Sequence, residues 1–92
     1  MEDARIPIEE FIQFPTRHTF KAIGHHTRKF SEDVRKAARR VMGEERTIEL
    51  RTRLSAKAAY VSVSVAVNVE SAHELHATYA ALRALEGIIT VL

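Results

Sequence analysis

Tyr60-Val61-Ser62-Val63-Ser64-Val65-Ala66-Val67-Asn68-Val69 alternates without interruption, and Ser71-Ala72-His73-Glu74 follows at once. Side chains of a strand point alternately to its two faces. The valines therefore share one apolar face, and Ser62, Ser64, Ala66 and Asn68 make the other face small and polar. Ser71 is placed to accept from the amide of Glu74, and Glu74 to reach back, which is a capping box. A half-buried strand thus feeds directly into a helix. That helix is expected from Ala72 to about Glu86, with Ala72, Leu75, Tyr79, Leu82 and Leu85 on its buried stripe. Gly87 ends it, and Ile88 to Leu92 forms a last strand.

Upstream, Arg46 to Leu54 alternates again, with Ile48, Leu50 and Leu54 on one face and Glu49, Arg51 and Arg53 on the other. Ser55 to Ala59 joins it to the valine strand. No Asn-Gly or Asp-Gly is present, so a loop longer than two residues is expected. An earlier helix runs from about Arg28 to Met42, burying Phe30, Val34, Ala37, Ala38 and Val41. Thr27 or Ser31 could cap it, Glu32 and Asp33 suit its first turn, Arg39 and Arg40 its last, and Gly43 its end. Arg17 to Ile23 reads as the first strand, stopped by Gly24. Residues 1–16 read as an arm before a single domain of residues 17–92. In it Ile8, Phe11 and Ile12 have helical spacing, and Pro15 ends the turn.

The order is β-α-β-β-α-β. With right-handed crossovers this gives an α+β fold: a ferredoxin-like split βαββαβ sandwich, a four-stranded antiparallel sheet with two helices on one face.

At 92 residues the chain affords one core and little spare stability. Without cysteine, disulfides and thiolate metal sites are excluded. No apolar run is long enough to span a membrane, and Met1-Glu2-Asp3-Ala4-Arg5 is unlike the basic start of a signal peptide, so a cytoplasmic protein is expected. Charge is uneven. Residues 17–57 hold twelve of the fourteen Lys and Arg but five of the twelve Asp and Glu.

Two blocks carry a family resemblance. Phe14-Pro15-Thr16 precedes Thr19-Phe20-Lys21 and Gly24. Lys57, Tyr60 and the Ser62-Val63-Ser64 alternation precede a final helix and a C-terminal Val91-Leu92. From about Ile8 to Leu92 the chain resembles the YbeD-like family of small bacterial proteins of unknown function. The resemblance implies a βαββαβ fold similar to the ACT-type regulatory domains of amino-acid-metabolism enzymes, and no catalytic residues. One departure stands out: Ala58 occupies a hairpin position where the family often has Gly.

Enzymatic chemistry finds no constellation here. There is no Gly-x-Ser-x-Gly nucleophile and no phosphate-cradling glycine loop. No cofactor is expected. His73 and His76 have a usable ligand spacing but lie off the buried stripe with no third ligand in sight, and His25-His26 do not point the same way, so no metal is expected. An RNA-binding sheet would offer two aromatics for base stacking. The face opposite the valines offers Tyr60 alone, with Lys21, Arg51 and Arg53 as charge, which argues against nucleic acid.

Two candidate sites remain. The first is Gly24-His25-His26-Thr27-Arg28, where the amides opening a helix and a glycine could receive a small anionic ligand; ACT-type domains bind small ligands near the corresponding loop. The second is the outer face of the first helix, with Arg35, Lys36, Arg39 and Arg40 offered to an acidic protein partner. The expectation is therefore a non-enzymatic, ACT-like regulatory or small-molecule-binding module. A protein-interaction adaptor is the alternative, and a nucleic-acid module comes third. With Arg46–Leu54 at a sheet edge and one sheet face uncovered, a homodimer is expected.

Overall fold

The computed structural model describes residues 12–92. Six elements follow in order: β1 (Thr16–His25), α1 (Phe30–Met42), β2 (Ile48–Leu54), β3 (Tyr60–Val69), α2 (Ala72–Arg83) and β4 (Ile88–Val91). The strands form one sheet in the order β2-β3-β1-β4, and every neighbouring pair is antiparallel. Both helices lie on one face. This is the expected ferredoxin-like βαββαβ arrangement. The expected helical turn around Ile8 and Phe11 lies outside the described residues. Ile12 and Phe14 are partly buried against the core.

β3 is the spine of the molecule. It pairs with β1 along its whole length, from Thr16 opposite Val69 to His25 opposite Tyr60, and with β2 from Ile48 opposite Val67 to Leu54 opposite Val61. Val63, Val65 and Val67 are 0 % exposed. They pack with Phe20 and Ala22 of β1 beneath Val34, Ala37 and Ala38 of α1 and Leu75 and Leu82 of α2.

The helix stripes differ in detail from expectation. In α1 the last fully buried position is Met42, while Val41 is half-buried. In α2 Thr78 replaces the expected Tyr79 in the interior, its hydroxyl donating to the Glu74 carbonyl at 2.8 Å. Such back-bonding removes the cost of burying a hydroxyl. Tyr79 is half-buried at the margin. Its Oη lies 3.0 Å from Nε2 of His18, its ring meets Phe20 edge-on at 4.9 Å, and Arg83 lies 5.1 Å over it. Burial lowers the pKa of His18 below the ordinary histidine value.

Capping follows chemistry more than position. Ser71 accepts from the Glu74 amide at 3.1 Å, as the capping box requires. The return arm lands one residue early: Glu74 Oε1 accepts from the amide of Glu70 at 2.9 Å. The same oxygen holds Arg46 at 2.6 Å. Neither Thr27 nor Ser31 caps α1; Lys29 occupies the N-cap without a side-chain bond. Gly43 closes α1 with φ +88°, its amide donating to the Arg39 carbonyl at 2.8 Å. β2 starts at Ile48 rather than Arg46, because the Arg46 carbonyl is taken by Arg39 and its side chain by Glu74.

Gly24 corrects the expectation most. It does not stop β1 but sits inside it, buried, opposite Val61. A Cβ there would lie 2.5 Å from the Phe30 ring and 2.8 Å from the Gly87 carbonyl oxygen. The glycine admits the first residue of α1 to the sheet and offers no open backbone to a ligand.

Candidate functional site

The β1–α1 connection and the β2–β3 hairpin meet at one end of the sheet. The His26 amide donates to the Ala59 carbonyl at 3.1 Å, and its Nδ1 lies 2.9 Å from the Ala58 carbonyl oxygen. A carbonyl only accepts, so Nδ1 carries the proton. Ser55 closes the hairpin from the other side. Its amide donates to the Tyr60 carbonyl at 3.0 Å, its hydroxyl accepts from the Tyr60 amide at 3.1 Å, and its carbonyl accepts from Ala58 at 2.9 Å. Ala58 has φ +56°, a left-handed conformation that favours glycine. The residue that departs from the family pattern thus holds the glycine-like conformation nonetheless.

Of the expected junction residues, His25, His26, Thr27 and Arg28 are exposed and Gly24 is buried. His26 serves as the tie between the two loops. His25 ends β1 opposite Tyr60, with the two rings tilted and 5.8 Å apart. Beside Tyr60, at the loop end of the sheet, a small hollow is lined by the open-face residues Ile23, Arg53 and Ser62 together with Leu54. Ile23 and Ser62 form its floor, being paired across β1 and β3. The sequence pattern alone does not single out Ile23 or Arg53 as residues of a ligand site. The alternation of β2 and β3 marks them as open-face residues, but only the β1–β3 register brings Ile23 next to Ser62. The start of α1 is less clearly anion-seeking than expected. Lys29 lies 3.9 Å from both Asp33 and Glu86, and the hollow beside it includes both carboxylates.

The structure brings the residues of the second candidate surface together: Arg35, Lys36, Arg39 and Arg40 line one shallow depression with Glu44. Two of the four are already engaged. Arg35 holds both Glu32 carboxylate oxygens through two guanidinium nitrogens, Nε at 3.1 Å and Nη2, and this pairing keeps the Glu32 carboxyl below the usual carboxylate range. Arg39 donates to the carbonyls of Gly43 at 3.0 Å and Glu44 at 3.4 Å, and to that of Arg46. Lys36 and Arg40 make no ion pair among the described residues.

The open face carries Arg17, Thr19, Lys21 and Ile23 from β1, small residues from β3, and Glu49, Arg51 and Arg53 from β2. Arg17 and Glu49 pair at 2.7 Å. Tyr60 is its one exposed aromatic among the described residues, and Phe20 and Tyr79 lie on the helix side. His73 and His76 are both exposed, and no group of three potential metal ligands occurs among the described residues. No helix among them is long and apolar enough to cross a membrane.

A family model described as a protein of unknown function, DUF493, matches residues 9–92, and the chain belongs to that family. A UPF0250 protein of Shewanella halifaxensis is 29 % identical over 84 residues, covering 91 % of this chain and 93 % of that protein. The family resemblance read from the sequence is therefore correct. Among solved structures, protein HP0495 from H. pylori matches with a TM-score of 0.74 at 16 % identity, over 98 % of this chain and 91 % of that one. The ACT domain from the GTP pyrophosphokinase of Chlorobium tepidum matches with a TM-score of 0.62 at 16 % identity, over 83 % and 94 %. At these identities the likeness is one of fold, and the fold is ACT-like.

Proposed function

We propose that this member of the DUF493 family is a non-enzymatic, cytoplasmic, ACT-like module that binds a small carboxylic acid at the loop end of its sheet. One observation carries the reading. His26 ties the β1–α1 loop to the hairpin through two bonds, and this sets His25 and Tyr60 side by side next to the hollow of Ile23 and Arg53. A preformed end with an apolar floor and a guanidinium suits a ligand that has an apolar body and a carboxylate. The fold likeness to an ACT domain of GTP pyrophosphokinase supports a regulatory role.

Amide NMR titration with citrate, phosphate, glutamate and branched-chain amino acids tests this reading. Shifts should concentrate at Ile23, His25, Arg53, Tyr60 and Ser62, and Arg53→Ala should remove them. Shifts confined elsewhere, or none at millimolar ligand, would sink the reading. The exposed Lys36 and Arg40 favour a second one, an adaptor for an acidic protein. A Lys36→Glu, Arg40→Glu pair should then abolish capture of that partner and leave the ligand titration unchanged.

A further inference from the structure

We propose that β2 is a self-recognition strand: two copies join β2 to β2 about a two-fold axis through Leu50, making one continuous sheet. The inference is independent of the ligand reading above and rests on three features of this strand.

First, its outer backbone edge is free and regular. The Ser55 amide bonds the Tyr60 carbonyl, so Arg53, Arg51 and Glu49 turn their backbone groups toward β3 in the same ladder. Ile48, Leu50, Thr52 and Leu54 therefore point their N–H and C=O groups outward, where no described residue meets them. β4, the opposite edge, is blunted: it has four residues, and Ile89 bulges out of its pairing with β1. β2 has seven residues with no proline and no bulge. Long regular edges are templates for another strand.

Second, the helix-side face of β2 is largely apolar and exposed from Leu50 to Leu54, with Ile48 packed partly on the core. Leu50 is 36 % and Leu54 49 % exposed, and α1 touches this strand through the Ser31–Thr52 hydroxyl pair at 3.3 Å. A two-fold axis normal to the sheet keeps both helix layers on one side, so the second copy's leucines meet these leucines.

Third, the charges select a register. Only pairings that match outward groups to outward groups are possible. Centred on Leu50, Glu49 faces the second copy's Arg51, and Arg51 its Glu49; Leu50 faces Leu50, and Ile48 faces Thr52. Centred on Arg51, two Glu49–Arg53 pairs form but two arginines meet at the axis; centred on Thr52, Arg51 meets Arg53 twice; centred on Glu49, two glutamates meet, so the Leu50-centred register is the one of these four that opposes no like charges. Directly opposed like charges destabilise a strand pair and opposite ones stabilise it. Glu49 already holds Arg17 at 2.7 Å, so the Leu50-centred register builds an Arg17–Glu49–Arg51 network across the junction.

Sedimentation of the full chain over a concentration series tests the proposal. The wild type should be dimeric at about 100 µM, well above the Kd of a stable pair. Glu49→Arg alone and Arg51→Glu alone should each raise the dissociation midpoint about tenfold, because each replaces two attractive pairs by two repulsive ones. The double exchange should bring it back close to wild type. Thr52→Pro, which removes an outward amide and none of the β3 ladder, should give a monomer with an unchanged amide NMR pattern for β3. A monomeric wild type, a dimer that survives Thr52→Pro, or rescue of Glu49→Arg by Arg53→Glu in place of Arg51→Glu would overturn it. So would a β2 that captures a foreign extended peptide while the free chain stays monomeric.

Discussion

β2 and β3 are neighbours with the same alternating grammar and opposite fates. Val61, Val63, Val65 and Val67 face Leu54, Thr52, Leu50 and Ile48 across the ladder, so all eight side chains lie on the helix side of the sheet. Yet Val63 and Val65 are 0 % exposed, and Leu50 and Leu54 remain 36 % and 49 % exposed. The two helices pack chiefly on β3, β1 and β4, and α1 reaches β2 at Thr52 without covering Leu50 and Leu54. Alternation states which side of a strand is apolar; whether that side is covered depends on how many strands a two-helix layer can span. Position in the sheet, more than the pattern of the strand, sets what a substitution costs.

The largest expected effect tests that contrast directly. Val65→Asp would bury an unpaired carboxylate, at about 4 kcal/mol or more, enough to unfold a domain this small. Leu50→Asp, its partner across the ladder, should cost about 1 kcal/mol or less. Urea midpoints measured on monomeric material, for instance with Thr52→Pro in the background, decide the matter. Equal losses would break the comparison. Ser64→Asp, on the uncovered face of the same strand as Val65, should be as mild as the change at Leu50.

Gly24 extends the comparison along β1. Gly24→Val would press side-chain atoms into the Phe30 ring and the Gly87 carbonyl, and overpacking of this kind costs about 1–3 kcal/mol. Pairing with Phe30→Ala should recover part of the steric loss, although that truncation opens a cavity of its own. Full additivity in thermal melts would show that the two sites do not touch.

The Arg46–Glu74 bond clamps the end of α1 to the start of α2 and lies at 20 % exposure on both sides. Arg46 is the main cause of a Glu74 pKa below the ordinary glutamate range, with the Glu70 amide adding to it. A carboxyl whose folded pKa is depressed contributes stability that is present above its unfolded pKa and lost as pH falls through the folded one. Glu74→Gln should therefore cost about 1 kcal/mol at pH 7. Its penalty should vanish in acid, below the folded pKa of Glu74. His18 runs in the same sense at higher pH: burial depresses its pKa, so its contribution is complete above the ordinary histidine value and falls away in acid. His18→Gln should flatten that part of the stability profile.

The smallest expected effect is at the hairpin. Ala58 pays for a left-handed φ of +56° that glycine would adopt freely. Ala58→Gly should gain about 0.5 kcal/mol, the steric relief slightly exceeding the added chain entropy. Scanning calorimetry showing a loss would mean that the Ala58 methyl makes a contact worth more than the strain.

Much of this architecture is legible in single residues. Ser71 and Glu74 announce the start of α2, Gly43 the end of α1, and the valines the buried face of β3, because caps and strand periodicity are local physics. Thr78 is not legible as an interior residue because a threonine in a helix buries its hydroxyl only when the carbonyl four residues back can take it. Gly24 misled for a related reason: a glycine beside His25-His26 resembles a strand end, and nothing local shows that Phe30 will come down on it. The site at the loop end was half legible. His25, Thr27 and Arg28 are exposed, while Ile23 and Arg53 become neighbours of Tyr60 only through strands far apart in sequence.

By itself, the sequence determined the order and type of the elements, the apolar face of each strand, the ferredoxin-like topology and the family. These follow from periodicity, capping and turn chemistry, which act within a few residues. Tertiary structure alone decided which apolar faces are covered, that Gly24 is an interior contact, that His26 joins two loops, and that β2 keeps a free edge beside exposed leucines. Those facts depend on register and on the footprint of two helices over four strands, and long-range packing sets both.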